Sequence, residues 1–254
     1  MQENFVTLEI VDNSIAVIKL NRAKQMNALS HDLMMQLKSV VEKIQATKTI
    51  KTAVITGNEK VFAAGIDVKA IQNMNSTEAM HCDFINRDWF AFETLSIPTI
   101  AAVSGYALGG GFELALMCDI LVADESAKFG FPEITLGLMP GMGGTQKLPR
   151  LINSKTAFQK IILGETFNAT QALNYGLIDH IATPDAMSEA LLIAKKIAKF
   201  PIESLLSIKK AMKTANVPDA NMQFEREMFR ALFDSPNKKI GVDAFVSKKK
   251  AEFI

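Results

Sequence analysis

The chain has 254 residues, 48% of them hydrophobic and 22% charged, with a formal net charge of +1. That is enough for one large soluble domain, or a domain with an appendage, and the near-neutral charge excludes a strong global field toward nucleic acid or membrane. Two cysteines, Cys82 and Cys118, make neither a disulfide framework nor a C-x-x-C pair, and three scattered histidines, His31, His81 and His180, give no metal-ligand spacing. The opening Met1-Gln2-Glu3-Asn4-Phe5 carries an early acid and no cationic or apolar leader, so a cytoplasmic location is expected.

Residues 5–10 and 15–20 flank an Asp12-Asn13 turn and predict a hairpin, followed by a polar connection to Ala28. Ser30 is placed to cap a helix whose apolar face is Leu33, Leu37, Val40, Val41 and Ile44. Residues 52–56 predict a buried strand stopped by Gly57, and residues 61–67 a second strand breaking on Gly65. The polar stretch from there to Arg87 is expected to be mobile, with a helix around residues 89–95 after it. Residues 99–120 open as an apolar strand, break on Gly105, Gly109, Gly110 and Gly111, and resume with helical spacing at Phe112, Leu114, Ala115 and Met117. The run is apolar enough to imitate a membrane span, but Glu113, Asp119 and the glycines mark it as buried core. Residues 120–123 predict a short strand, 133–149 a glycine-rich loop, and 155–163 and 170–175 helices, the second closed by Gly176. Beyond Thr183-Pro184, a helix start, the chain reads as helical and is punctuated by Pro201, Pro218 and Pro236. Strand–helix alternation followed by a helical tail indicates the α/β class with a helical appendage.

The chemistry gathers on the glycines and two acids. A strand running through glycine into a helix bares backbone N–H groups at a helix N-terminus, a setting for an oxygen carrying negative charge. The spacing is not the dinucleotide G-x-G-x-x-G, since position 114 is Leu, and no Gly-Lys-Ser/Thr phosphate loop is present. The competing reading is a tight turn with close packing. The break at Gly65 could aim another N–H at the same point; two converging donors make an oxyanion hole, each worth roughly 3 kcal/mol at a transition state. Glu113 and Glu133 both sit in apolar, Gly/Pro-bounded settings. Facing one cavity, they would split into an acid and a base; otherwise each is a partly solvated or capping carboxylate. Asp119 and Asp124 read as turn or cap residues, Trp89 and the methionines as core, and Lys248-Lys249-Lys250 as a solvated face or a phosphate contact.

Essentially the whole length resembles the crotonase superfamily of enoyl-CoA hydratases and isomerases. The motifs that carry the resemblance are Asn27-Ala28-Leu29, residues 62–67, the run 100–120, and Phe131-Pro132-Glu133 with Gly137, Pro140 and Gly143-Gly144-Thr145-Gln146. The resemblance implies a crotonase-like spiral of ββα repeats over residues 1–197 and a helical C-terminal trimerisation region over 198–254, assembled as a homotrimer or a hexameric dimer of trimers. It implies an acyl-CoA thioester substrate, no separate cofactor or metal, and an oxyanion hole formed by the N–H groups of Ile66 and Gly110. Hydratases of this family are similar in carrying acids at both the Glu113 and Glu133 positions, where many relatives keep one or neither. The implied activity is therefore reversible addition of water to a 2-trans-enoyl-CoA, of short to medium chain, as in fatty acid degradation. Glu113 would activate the water and Glu133 protonate C2. Ala28, Ala64, Gly65 and Asp67 would border the substrate, with Phe245 and Lys248 on the CoA nucleotide. The alternatives are a Δ3-Δ2-enoyl-CoA isomerase and a non-catalytic or RNA-binding relative, the latter disfavoured by the neutral charge. Ile66 stands where the family usually has alanine, which keeps the backbone donor but reshapes the acyl entrance.

Overall fold

The computed structural model describes residues 3–214 and 229–252. Two strands, β1 (Val6–Val11) and β2 (Ile15–Leu20), form the expected antiparallel hairpin. Asp12 and Asn13 turn it with positive φ, a conformation Asn and Asp tolerate better than most residues. Helix α1 (His31–Ala46) is capped by Ser30 Oγ, which accepts the Leu33 N–H at 3.3 Å. Its five expected apolar residues are buried, with Met34 beside them.

From there the chain visits two sheets by turns. β3 (Thr52–Thr56), β5 (Thr99–Val103) and β7 (Ile120–Asp124) enter a large sheet; β4 (Val61–Ala63), β6 (Tyr106–Leu108) and β8 (Lys128–Gly130) enter a small one. The large sheet has the order β1-β2-β3-β5-β7-β10, with β10 at Ile181–Ala182, and is parallel except for the hairpin. The small sheet runs β4-β6-β8-β9, with the last strand (Phe167–Asn168) antiparallel. Each return from small sheet to large completes one turn of a spiral, so this is the α/β crotonase fold. Between the sheets lies the main core, in which Phe112, Phe129, Phe131 and Phe167 pack ring against ring. On the outer face of the large sheet lies helix α8 (Ala186–Ile197), whose Ala190 and Ala194 let it approach closely.

Several expectations are corrected. The stretch expected to be mobile before Arg87 holds two short helices, α2 (Val68–Ile71) and α3 (Ser76–His81). Periodicity over so few residues is too short to read, and what fixes α3 is a reciprocal capping box between Asn75 and Glu78. The helix around 89–95 is a 3-10 helix, Arg87–Thr94. The glycine-rich segment 133–149 is not all loop: Pro132–Leu136 is a 3-10 turn, and Gly144–Leu151 forms helix α5, with Pro149 in its last turns. β6 was hidden because glycines bound it at both ends. Asp119 does more than end a turn; it accepts the Thr99 N–H and hydroxyl, both at 2.8 Å, and pairs with the buried Lys209 at 2.6 Å.

The remaining helices are α6 (Ser154–Leu163), α7 (Ala169–Asn174), α9 (Ile202–Thr214) and α10 (Pro236–Val246). Pro201 precedes α9 and Pro236 begins α10 as expected, while Pro218 lies outside the described residues. Among the described residues no helix is long and apolar enough to cross a membrane.

Candidate active site

Helix α4 (Gly110–Leu116) begins where β6 ends. Gly110 is its first residue, so its N–H has no partner inside the helix. Beside it runs the loop after β4. A parallel bridge joins Leu29 to Ile66, using the Gly65 carbonyl (2.7 Å from Leu29 N) and the Asp67 N–H (3.1 Å from the Leu29 carbonyl). In such a bridge the N–H of Ile66 itself points away from Leu29. The two loops touch: a Cβ on Gly65 would lie 3.7 Å from Gly110 N, and one on Gly110 only 3.2 Å from Ile66 Cγ1.

The two glutamates reach this region differently, Glu113 through its backbone and Glu133 through its carboxylate. Glu113 lies one turn into α4, its N–H donating to the Gly109 carbonyl at 2.9 Å, and is fully buried. Its Oε1 accepts the N–H groups of Met142 (2.7 Å) and Gly144 (2.8 Å), at the start of α5. Backbone donors at a helix start suit an anionic oxygen and fix the side chain's direction. Glu133, 8% exposed, comes from the 3-10 turn after β8. A Cβ on Gly109 would meet Glu133 Oε1 at 2.8 Å, so that carboxylate lies directly against the glycine backbone.

The loop carrying Ala28 is laced to the one carrying Ala64, Gly65 and Asp67. The Ala64 N–H donates to the Met26 carbonyl at 3.0 Å, and Arg22 reaches both the Ala28 carbonyl (3.1 Å) and Asp67 (2.9 Å). Buried Asn27, at φ +52°, accepts the Arg22 N–H at 2.8 Å and donates to the Phe62 carbonyl at 3.0 Å. The sequence motifs include Asn27 and Gly144 but give no sign of the Arg22 contacts or of the Met142 and Gly144 N–H donors. An Asn at the end of a polar run, just before a capped helix, is the one available signal. A cavity of about 340 Å³ opens beside Ile66, lined by Leu29, Met74, Phe84 and Trp89 among others, so part of the segment before Arg87 walls it.

Phe245 and Lys248 stand apart. Phe245 is 59% exposed at the end of α10, and among the described residues no hydrogen bond or ion pair joins either one to the glutamates or the two loops. No cluster of three or more metal-ligating side chains occurs among the described residues.

The chain matches the enoyl-CoA hydratase/isomerase family over residues 11–254. It is 41% identical over 242 residues to a probable enoyl-CoA hydratase of Rhizobium meliloti, covering 94% of each chain. A probable mitochondrial enoyl-CoA hydratase of Dictyostelium discoideum is 39% identical over 241 residues, with 92% of this chain and 86% of that one covered. Among solved structures, the carnitinyl-CoA hydratase of Mycobacterium avium superposes with a TM-score of 0.87 at 31% identity, covering 99% of both chains. Sequence and spiral fold agree, and the protein is a member of the enoyl-CoA hydratase/isomerase family, the crotonase superfamily.

Proposed function

We propose that the protein is an enoyl-CoA hydratase acting on short- to medium-chain 2-trans-enoyl-CoA thioesters. The observation that carries this reading is the pair of buried glutamates, Glu113 one turn into α4 and Glu133 with its carboxylate against Gly109, beside the Ile66 and Gly110 backbones. The thioester oxygen takes the N–H groups of Ile66 and Gly110, which polarise the conjugated system. Glu113 removes a proton from water as its oxygen bonds to C3, the C2=C3 pair becomes the C1=C2 bond of the enolate, and the carbonyl pair moves onto the thioester oxygen. Glu133, protonated, delivers its proton to C2 as the enolate collapses. The pair is reset when a proton passes from Glu113 back to Glu133. The oxyanion donors are worth about 3 kcal/mol each, and each acid–base group about 10²–10⁴-fold in rate. CoA enters and leaves as part of the substrate.

Under the same proposal Ala28, Ala64, Gly65 and Asp67 border the thioester, and Phe245 and Lys248 reach the CoA nucleotide in an assembled trimer or hexamer. The proposed division at residue 198 separates the spiral core from a helical extension of it, a reading supported by bonds from residues 230–243 back to residues 71–84.

The test is to mix the protein with crotonyl-CoA, follow loss of the conjugated-thioester absorbance, and identify a product heavier by one water. Glu113→Gln and Glu133→Gln should each lose at least about 10²-fold in kcat while retaining acyl-CoA binding. Near-normal turnover by Glu133→Gln would remove it from the acid–base role.

A further inference from the structure

We propose that Phe84 sets the length of acyl chain the protein accepts, and that Arg230 is the residue that positions it; the inference rests on the hydratase reading above. Phe84 is half-buried on the wall of the 340 Å³ cavity beside Ile66. A chain leaving the Ile66–Gly110 donors into this cavity meets an apolar surface made by Leu29, Ile66, Met74, Phe84 and Trp89.

The backbone that presents Phe84 is unusual. Asp83 and Ile85, on either side of it, both have positive φ, +46° and +56°. For a β-branched residue such as Ile85 that conformation is costly, and it persists only where the surroundings over-determine it. Here they do. The Phe84 N–H donates to the Ala79 carbonyl at 2.9 Å, and the Ile85 side chain is fully buried. Arg230, from the far end of the chain, clasps the turn with its guanidinium fork. Its Nε (3.3 Å) and Nη2 (3.0 Å) donate to the Phe84 carbonyl, and Nη2 pairs with Asp83 at 2.6 Å. The planar, multi-donor head of arginine suits this; a lysine ammonium would keep the charge but not the fork.

The ring is held as firmly as its backbone. Trp89 and Phe233 meet it edge-on at 5.5 and 5.9 Å, and Phe229 lies nearly parallel at 6.4 Å. A ring braced on these sides and seated on a clasped turn cannot swing aside cheaply for a longer ligand. It is a firmly held part of the cavity's lining.

The experiment measures kcat/KM for 2-enoyl-CoA substrates of increasing chain length, crotonyl to 2-decenoyl, with wild type, Phe84→Ala, Phe84→Leu, Arg230→Ala and Arg230→Lys. Binding of butyryl- and decanoyl-CoA is measured alongside, and thermal midpoints show which variants fold. Each further methylene that finds apolar contact is worth about four-fold in affinity. Phe84→Ala should therefore raise the decenoyl-to-crotonyl ratio of kcat/KM at least about ten-fold, through KM for the longer chains. Phe84→Leu, the safer variant for folding, should raise it less. Arg230→Ala should shift the ratio in the same direction, and Arg230→Lys should restore only part of the wild-type profile. If folded variants scale every chain length alike, Phe84 is merely structural and the proposal falls. A decanoyl-to-butyryl binding preference unchanged in Phe84→Ala overturns it equally. Binding preferences that shift as expected while wild type hydrates no substrate would sink the hydratase reading and leave the assignment of the cavity wall standing.

Discussion

Gly109 and Gly176 make a matched pair of substitutions that separates strain from chemistry. Both have positive φ, +51° and +75°. Alanine at either forces an L residue to positive φ, at about 1–3 kcal/mol, and at Gly109 the ψ of −130° lies outside even the left-handed helical region. In a domain of this size each kcal/mol lowers the thermal midpoint by roughly 2–4 °C. The surroundings differ. A Cβ on Gly176 meets nothing within 4 Å, whereas one on Gly109 meets Glu133 Oε1 at 2.8 Å and Cδ at 3.3 Å. The Gly109 backbone cannot retreat, because its N–H donates to the Gly130 carbonyl and its carbonyl accepts from Glu113, both at 2.9 Å. The Glu133 carboxylate must move instead. Gly109→Ala should therefore cost at least about 10²-fold in kcat on crotonyl-CoA, the lower bound for a displaced acid–base group, where Gly176→Ala stays close to wild type. Thermal melts should show a loss in both, the larger in Gly109→Ala because it also displaces a buried carboxylate. Equal turnover in both variants would refute the reasoning, because the close approach of Glu133 to Gly109 would then have no part in the reaction.

Asp185 caps α8 by accepting the Ser188 N–H (2.8 Å) and hydroxyl (2.7 Å), and Asp185→Ala should cost about 1 kcal/mol in urea melts at neutral pH. Those bonds from Ser188 hold its carboxyl below the ordinary value of 3.8, so the stabilisation is complete above that value and disappears as pH falls through the lower folded-state pKa. The gap between wild type and variant should close on acidification; a gap that widens would contradict the assignment. Lys238, 2% exposed, donates to the Ile71 carbonyl and to those of Gln72 (3.4 Å) and Met74 (2.9 Å), at the end of α2. Lys238→Met keeps the stem but removes the donor, and should cost about 1–3 kcal/mol with faster amide exchange in residues 71–76. A stability within about 0.5 kcal/mol of wild type would show that those carbonyls do not depend on the ammonium group.

What was legible in the sequence is what is decided locally. The 3.6-residue spacing of Leu33, Leu37, Val40, Val41 and Ile44 specifies one buried helix face, and the apolar run 52–56 one strand, because burial reads the pattern directly. The segment from Asp67 to Arg87 was opaque for the opposite reason. Its helices are too short to nucleate on propensity, and their support arrives from residues more than 140 positions away: Lys238 on Met74, Asp234 on Ser76, Arg230 on Phe84. The candidate site divides along the same line. Two acids in apolar settings stand out in a sequence, since burying a carboxylate needs a partner or a task. The Met142 and Gly144 N–H groups that hold Glu113 do not, because a backbone donor has no letter of its own.

The glycine run shows why its two sequence readings, tight packing and bared donors, are not alternatives. A Cβ on Gly111 would fall 2.1 Å from the Ala63 carbonyl oxygen, so α4 rests directly on the backbone of β4. That contact carries the first residue of α4 to the loop that leaves β4, where a Cβ on Gly65 would come to 3.7 Å from Gly110 N. Add a side chain at 111 and the helix lifts off the strand, separating the Ile66 and Gly110 backbones. Add one at 110 and it presses on Ile66 Cγ1 and Met142 Sδ, both at 3.2 Å; add one at 109 and Glu133 is displaced. Gly111 thus excludes a Cβ against backbone, Gly109 admits one only by moving Glu133, and Gly110 only if the Ile66 and Met142 side chains yield by a few tenths of an ångström. Close approach is what brings the start of α4 against the loop after β4, the juxtaposition on which the proposed oxyanion hole depends.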